Sequence, residues 1–216
     1  MSPNTLLALV AGMFSAALAA AAACRKQRSL ATWCFSAGML TFALASLFGA
    51  IATDAVVPQK AAFWESLSLV AKSFLPGVWL TFSLTYSRAN HRDFLVRSRL
   101  LVIGSFLIPM LSLPALYSPF FSVVTYDPPV GGWGLRLNEP AKVLNVLILV
   151  STVLILTNIE RTFRAAVGTM RWRIKFVVLG LAVVFGARIY TQSQAVLFSE
   201  YNPSQFSVET IALVIG

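Results

Sequence analysis

The sequence is poor in charged residues, in cysteine and in histidine. Only 12% of its 216 residues are charged, whereas a soluble domain carries about twice that fraction. One histidine and two cysteines, with no cluster of further ligands beside them, argue against a zinc site. The sequence also has no glycine-rich phosphate-binding loop. We therefore expect no catalytic residue, no metal site and no cofactor between residues 1 and 216.

Long apolar runs occupy most of the chain. Hydrophobic residues make up 57% of it, and the mean hydropathy is +0.76. A helix needs about 20 apolar residues to cross a bilayer. Six runs of roughly this kind lie at residues 5–24, 30–52, 63–86, 100–116, 143–157 and 176–197, and a seventh opens at Val208 and is cut off at Gly216. The sequence predicts an all-α, polytopic transmembrane helix bundle with six complete helices and the start of a seventh.

The positive charges lie in every second gap between these runs. Of the 17 Lys and Arg residues, 12 follow the first, third and fifth runs. These are Arg25, Lys26, Arg28, Arg88, Arg92, Arg97, Arg99, Arg161, Arg164, Arg171, Arg173 and Lys175. Cytoplasmic loops of membrane proteins are rich in Lys and Arg, so the N-terminus is predicted outside and the seventh helix runs inward. Clustering at the membrane surface accounts for the net charge of +9, and we expect no nucleic-acid partner.

The longest predicted outer loop, residues 117–142, is rich in proline, glycine and aromatic residues. Turn residues at this density exclude a long regular element. Its aromatic side chains suit the membrane interface, namely Phe120, Phe121, Tyr126 and Trp133. The loop is predicted to form an ordered cap, with a ligand-binding lid as the alternative. Within the third run, the Pro76–Gly77 pair predicts a bend in mid-membrane.

Two predicted helices carry polar residues within the membrane. The proposed ligand-binding residues are Glu65, Ser68, Lys72 and Trp79 on the third helix, and Arg188, Tyr190, Gln192 and Gln194 on the sixth. At 1.5 Å per residue, Lys72 and Arg188 both lie about 14 Å from the outer ends of their helices. Ionisable groups are unfavourable in lipid, so these residues should face the bundle interior, a partner or water. They could line a pocket for an anionic or polar ligand. Alternatively, Lys72 and Arg188 could extend to the surface or pair with Glu65, Glu200 or Glu209.

Residues 160–198 carry three motifs that point to a family. They are Glu160-Arg-Thr-Phe-Arg164, Arg171-Trp-Arg-Ile-Lys-Phe176, and Arg188-Ile-Tyr-Thr191 followed by Ser193-Gln194. This stretch closely resembles the membrane region of the PrsK family, the sensor histidine kinases of the exosortase/PEP-CTERM system. Residues 79–88 also resemble the third helix of bacterial seven-helix sensor regions.

The resemblance implies that the chain is the transmembrane sensor region of a longer protein in the bacterial cytoplasmic membrane. A GAF-like domain and a histidine-kinase domain would follow residue 216. With ATP and Mg²⁺, that kinase would phosphorylate its own histidine and pass the phosphoryl group to a response regulator. The regulated process would be exopolysaccharide production and the sorting of PEP-CTERM proteins, and the protein would act as a homodimer.

The charged segment after the fifth helix is predicted to couple a signal to the cytoplasm. Its residues are Arg161, Arg164, Arg171, Trp172, Arg173 and Lys175. A ligand acts in this way only if it binds two states of the bundle unequally.

Two other functions compete with sensing. In a transporter or channel component, Lys72 and Arg188 would line a polar path, and repeat-related halves would be expected. The sequence shows no repeat. An intramembrane peptidase would need Cys, Arg and His together near the outer face, whereas Cys24, Cys34 and His91 lie toward the predicted cytoplasmic face.

Overall fold

A computed structural model describes residues 3–25, 29–86, 96, 98–110, 120–127, 132–166, 169–201 and 203–216. Several residues singled out above lie outside these ranges, namely Lys26, Arg28, Arg88, His91, Arg92 and Arg97. The backbones of Tyr126, Arg171 and Arg173 are described, but their side chains are not.

The described part of the chain is a bundle of helices with one small sheet. The helices are α1 (Pro3–Ala23), α2 (Leu30–Thr53), α3 (Pro58–Ser73), α4 (Leu75–Thr85), α5 (Arg99–Leu107), α6 (Glu139–Ala165), α7 (Thr169–Phe198) and α8 (Pro203–Ile215). Among the described residues, five spans are long and apolar enough to cross a membrane: α1, α2, α3 together with α4, α6, and α7 from Ile174 onward. Shorter apolar helices lie at Arg99–Met110 and Phe206–Ile215. The predicted all-α transmembrane bundle is confirmed.

The last three helices begin or end beyond their predicted limits. Helix α6 runs to Ala165 and α7 starts at Thr169, so most of the predicted coupling segment is helical. Arg and Glu are good helix formers, and a helix can continue into water after its apolar stretch ends. Helix α8 starts at Pro203, five residues before the predicted run. Proline in a first turn costs no hydrogen bond, because the first N–H groups of a helix have no partner within it.

The predicted bend at Pro76–Gly77 is present as a break between α3 and α4. Helix α3 ends at Ser73 and α4 begins at Leu75, with Phe74 between them. Pro76 has no N–H to donate to the carbonyl of Lys72, four residues earlier, so the helical ladder stops there. The Phe74 N–H closes the end of α3 by donating to Ala71 O at 3.2 Å. The break therefore lies at Phe74, two residues after Lys72.

Residues 121–127 and 132–137 pair as the two strands of a β-hairpin that the turn-rich composition did not predict. Strands β1 (Phe121–Asp127) and β2 (Gly132–Leu137) are antiparallel, with Phe121 opposite Leu137. Strand β3 (Glu200–Tyr201) adds to β2 and places Glu200 opposite Arg136. The described residues here form no long regular element, as predicted, but they do form two short strands whose backbone groups are satisfied by pairing.

Tertiary contacts attach this hairpin to the ends of the surrounding helices. The Trp133 Nε1–H donates to Ala55 O at 3.0 Å, just beyond α2. The Leu137 N–H donates to Ser199 O at 2.9 Å, where α7 ends in a left-handed residue with φ of 55°. Phe120 and Phe121 are buried in a core with Leu69 and Leu144. Their predicted placement in the lipid interface was therefore wrong: the hairpin turns these rings toward the bundle.

Replacing Trp133 by Phe should loosen the hairpin. This change removes the N–H that reaches Ala55 O, and a lost hydrogen bond weakens a structure by about 1 kcal/mol, or about fivefold in an opening equilibrium. Amide hydrogen exchange at Leu135 and Leu137 is expected to rise by about fivefold. Trp172→Phe is the matched control because Trp172 is exposed at the other end of α7. Equal exchange in both variants and the wild type would show that this bond does not hold the hairpin.

Candidate functional site

Four ionisable side chains meet inside the bundle, below the hairpin. Glu65 and Lys72 come from α3, Arg188 from α7 and Glu209 from α8. Their exposed fractions are 4%, 5%, 4% and 8% in that order. Glu65 and Lys72 are two helical turns apart and share a face of α3, so one helix contributes one charge of each sign. Two acids and two bases give the group, here called the charge cluster, a balance of formal charge.

Glu209 connects the cluster. Its Oε2 lies 3.5 Å from Lys72 Nζ and 3.8 Å from Arg188 Nη2. Its Oε1 accepts a hydrogen bond from the Thr191 hydroxyl at 2.7 Å. Lys72 Nζ also lies 3.6 Å from Glu65 Oε1. One carboxylate of α8 thereby joins a cation of α3 to a cation of α7.

Arg188 has a second neighbour in α2. Its guanidinium carbon stands 4.7 Å from the centroid of the Phe42 ring. The face of an aromatic ring attracts a cation, and this attraction is stronger away from water. The cluster thus draws together α2, α3, α7 and α8. Charges withdrawn from water are unfavourable unless paired, so removing one partner leaves a buried charge uncompensated.

A small cavity adjoins the cluster. Its lining residues are Glu65, Leu69, Lys72, Phe121, Asn145, Thr191, Gln192, Ala195 and Glu209. Its volume of about 10 Å³ is room for about one water molecule. Phe121 of strand β1 belongs to this lining, so the hairpin covers one side of the cavity. The Asn145 amide donates to Ala141 O at 2.9 Å within α6.

Two polar atoms near the cavity have no hydrogen-bond partner among the residues that the structure describes. They are Arg188 Nη1, a donor, and Gln192 Oε1, an acceptor. Both side chains are buried, and Gln192 lines the cavity. Residues 188 and 192 are four apart on α7 and therefore point to the same face. Buried polar groups are normally bonded, so this pair marks a place for a small polar group.

The structure brings together part of the predicted ligand-binding set. Glu65, Lys72 and Gln192 line the cavity, and Arg188 touches the cluster. Lys72 and Arg188 were predicted at matching depth, and both contact Glu209. The pairing that the sequence left open, with Glu65 and Glu209, is the arrangement observed. Binding of a ligand remains a prediction.

Four other predicted residues lie away from the cavity lining. Ser68 is buried and donates to Ala45 O of α2 at 3.1 Å. Trp79 is fully buried among Phe35, Phe42, Phe82 and Phe185. Tyr190 is 56% exposed, on the outer surface of α7, and Gln194 is half-buried. For Tyr190 the reason is the helical period: it is two residues from Arg188, and such a step turns a side chain to another face.

The position of Trp79 depends on a glycine in α2. A Cβ atom added to Gly38 would lie 2.7 Å from Trp79 Nε1, which is too close for any side chain. Gly38 therefore lets α2 approach the indole ring directly. Trp79 stands 5.5 Å from Phe42 between ring centroids, and Phe42 in turn faces Arg188. Trp79 supports the cluster through Phe42.

The predicted coupling residues lie near the other end of α6 and α7. Arg164 pairs with Glu160 at 2.6 Å on the exposed surface of α6. Lys175 Nζ is 5.2 Å from the Trp172 ring, one turn apart on α7. Arg161 is exposed on α6, and residues 167 and 168 lie outside the described ranges. Since α7 also carries Arg188, a single helix connects this surface to the charge cluster.

Sequence reasoning missed several cavity residues. Thr191, Asn145 and Phe121 line the cavity but were not assigned to the site. Glu209 was considered only as a possible partner, because the seventh run was taken to begin at Val208. Thr191 offered a usable signal, since it lies three residues after Arg188 on the same face. Phe121 offered none, because only the hairpin fold brings it to α3.

One comparison with known proteins is decisive. The family model described as the N-terminal 7TM region of histidine kinase matches residues 7–216. The chain belongs to this family. It is accordingly a multi-pass membrane region that provides the sensory input of a histidine kinase. The described bundle fits, with five long spans and two shorter apolar helices. None of the curated proteins matches the chain significantly.

Replacing Glu209 by Gln should destabilise the bundle strongly. The change keeps the shape of the side chain but leaves Lys72 and Arg188 with one acid between them. Breaking a buried pair typically lowers the free energy of unfolding by about 3–5 kcal/mol. Unfolding in mixed detergent micelles would measure the loss.

Glu139→Gln is the control for this experiment. It breaks the pair of Glu139 with Lys142 at 3.0 Å, in which the glutamate side chain is 84% exposed. An exposed pair contributes only about 0–1 kcal/mol. Equal losses in the two variants would contradict the central role of Glu209.

Proposed function

We propose that the chain senses a ligand or a state of the cell envelope and controls a histidine kinase in the cytoplasm. The family match over residues 7–216 is the observation that carries the kinase class. The buried charge cluster supports sensing, because ionisable groups within membrane spans are usually functional. The proposed ligand-binding residues are the predicted ones that touch the cluster or cavity, namely Glu65, Lys72, Arg188 and Gln192.

The kinase itself would be supplied by the longer protein. GAF-like and histidine-kinase domains would follow residue 216, use ATP and Mg²⁺ and phosphorylate a histidine. A response regulator would then receive the phosphoryl group. The protein would act as a homodimer in the bacterial cytoplasmic membrane. The charge pattern supports this arrangement, because it directs the end of α8 inward.

The finer proposal is the PrsK family, which controls exopolysaccharide production and the sorting of PEP-CTERM proteins. Its support is the resemblance of residues 160–198, a stretch that includes the end of α6 and all of α7. Within α7 this stretch contains Arg188 and Thr191, which both touch Glu209. The residues that carry the resemblance thus include part of the charge cluster.

Helix α7 is the proposed path from the cluster to the cytoplasmic side. It is continuous from Thr169 to Phe198, and the 13 residues from Lys175 to Arg188 span about 20 Å at 1.5 Å per residue. A rigid helix moves as a unit, so a shift at Arg188 would reach Trp172 and Lys175. Such coupling needs direct evidence, which mutants of both ends can supply.

Transport by this chain has no comparable support. Lys72 and Arg188 are both engaged by acids, and the adjoining cavity has room for about one water molecule. The family match assigns the region to histidine kinases. The paired cations therefore favour ion pairs that form and break between two signalling states, and not a path for a solute.

The test uses the protein encoded by the whole reading frame, reconstituted in membranes with labelled ATP. We expect autophosphorylation that is lost when the acceptor histidine is replaced. Lys72→Met should change the phosphorylation rate at least about threefold, equivalent to about 0.7 kcal/mol in the balance of two signalling states. Lys60→Met is the control, since Lys60 is an exposed cation at the start of α3.

Two results would contradict the proposal. Absence of labelling in a folded protein would remove the kinase assignment. Labelling that responds equally to Lys72→Met and Lys60→Met would leave the kinase but remove the cluster from its control.

A further inference from the structure

The Glu209 carboxylate occupies a position that resembles a binding site for an anion. Lys72 and Arg188 face Oε2, and the Thr191 hydroxyl donates to Oε1. Two cations and a hydroxyl are the groups that proteins use to hold a bound carboxylate. Here the occupant is part of the protein and arrives on a separate helix, α8.

The ion-pair contacts to this occupant are long. The distances of 3.5 Å to Lys72 and 3.8 Å to Arg188 exceed the roughly 2.7–2.9 Å of a charge-assisted hydrogen bond. Arg188 Nη1 is unpartnered within the described ranges. Glu209 therefore neutralises Arg188 without satisfying all of its hydrogen-bond donors. A carboxylate placed closer to Arg188 would gain a hydrogen bond that Glu209 does not make.

The cavity beside the cluster is too small to hold another carboxylate next to Glu209. Its volume of about 10 Å³ corresponds to about one water molecule. The charge balance also argues against a second carboxylate beside Glu209, because an added anion would leave an unpaired negative charge in the bundle. An anion that replaces Glu209 keeps the balance, whereas a neutral ligand in its place leaves a cation uncompensated.

We propose that this site binds a small aliphatic carboxylate from outside and that Glu209 is a tethered competitor which the ligand displaces. The proposal rests on the sensory function proposed above and adds the class of ligand and the contact it replaces. Helix α8 then loses its link to Lys72 and Arg188. Glu209 is six residues from the start of α8, so about 9 Å of helix separates it from the predicted outer end of the bundle.

Glu209→Ala tests whether the site accepts a free carboxylate. The substitution removes a CH₂–COO⁻ group, and acetate supplies the same atoms. In lipid nanodiscs, acetate should raise the melting temperature of Glu209→Ala by about 3 °C or more once it saturates the site. Equal concentrations of chloride and of acetamide control for ionic strength and for shape. Glu139→Ala is the matched control, because it removes an exposed carboxylate that is 84% accessible to solvent, and acetate should not stabilise it.

The outcomes separate clearly. A rise with acetate alone, in Glu209→Ala alone, supports the carboxylate site. An equal rise with chloride or acetamide, or in Glu139→Ala, overturns it, as does no rise at all. If Glu209→Ala does not fold in chloride, the yield of folded protein is compared instead. A higher yield in acetate than in chloride supports the site, and an equal yield overturns it.

Displacement is tested on the wild-type chain by hydrogen exchange in α8. Acetate should increase amide exchange over residues 206–215 by at least about threefold relative to chloride, because α8 loses the ion pairs that hold it. Unchanged exchange would overturn displacement even where acetate stabilises Glu209→Ala. Both measurements read binding and stability without kinase activity. Failure of this proposal is therefore distinguishable from failure of the sensor-kinase function, which only autophosphorylation reports.

Discussion

The fold depends on one constraint: charges inside an apolar bundle must be neutralised there. Glu65, Lys72, Arg188 and Glu209 are all buried, and each lies within 4 Å of an opposite charge. Because the attraction between charges grows as water is excluded, these contacts set how α3, α7 and α8 lie relative to one another. The same contacts make the arrangement of the helices sensitive to a species that competes for one of the charges. Any species that competes for one of the charges changes the free energy of the whole arrangement.

Local backbone features place the charges where they can meet. The break at Phe74 follows from Pro76 and ends α3 one residue after Lys72. Gly38 allows α2 to contact Trp79, and the aromatic group around Trp79 supports the Phe42 ring that faces Arg188. The hairpin then covers the cavity with Phe121. Proline, glycine and aromatic residues thus contribute to the site without being its ligands.

Sequence reasoning succeeded where a feature depends on composition or on period. Apolar run lengths predicted the helices, and Pro76 predicted the break. Counting residues along two helices placed Lys72 and Arg188 at similar depths, and the two side chains share a contact with Glu209. Sequence reasoning did not predict the hairpin. Its strands, residues 121–127, 132–137 and 200–201, pair through tertiary contacts that leave no periodic pattern in the local sequence. Sequence reasoning also placed Tyr190 and Trp79 in the site, although the faces of their helices direct them elsewhere.

The sequence by itself determined that this is a multi-pass membrane region, since run length and Lys/Arg asymmetry are properties of the chain alone. Its match to the N-terminal 7TM region of histidine kinase is also a property of the sequence. Only the tertiary structure decided which charges pair. Glu65, Glu200 and Glu209 were equally available partners along the chain, and packing of α8 against α7 brought Glu209 between Lys72 and Arg188 while Glu200 joined the sheet. The reason is physical: bilayer partitioning acts on each segment separately, whereas pairing depends on the distances between segments.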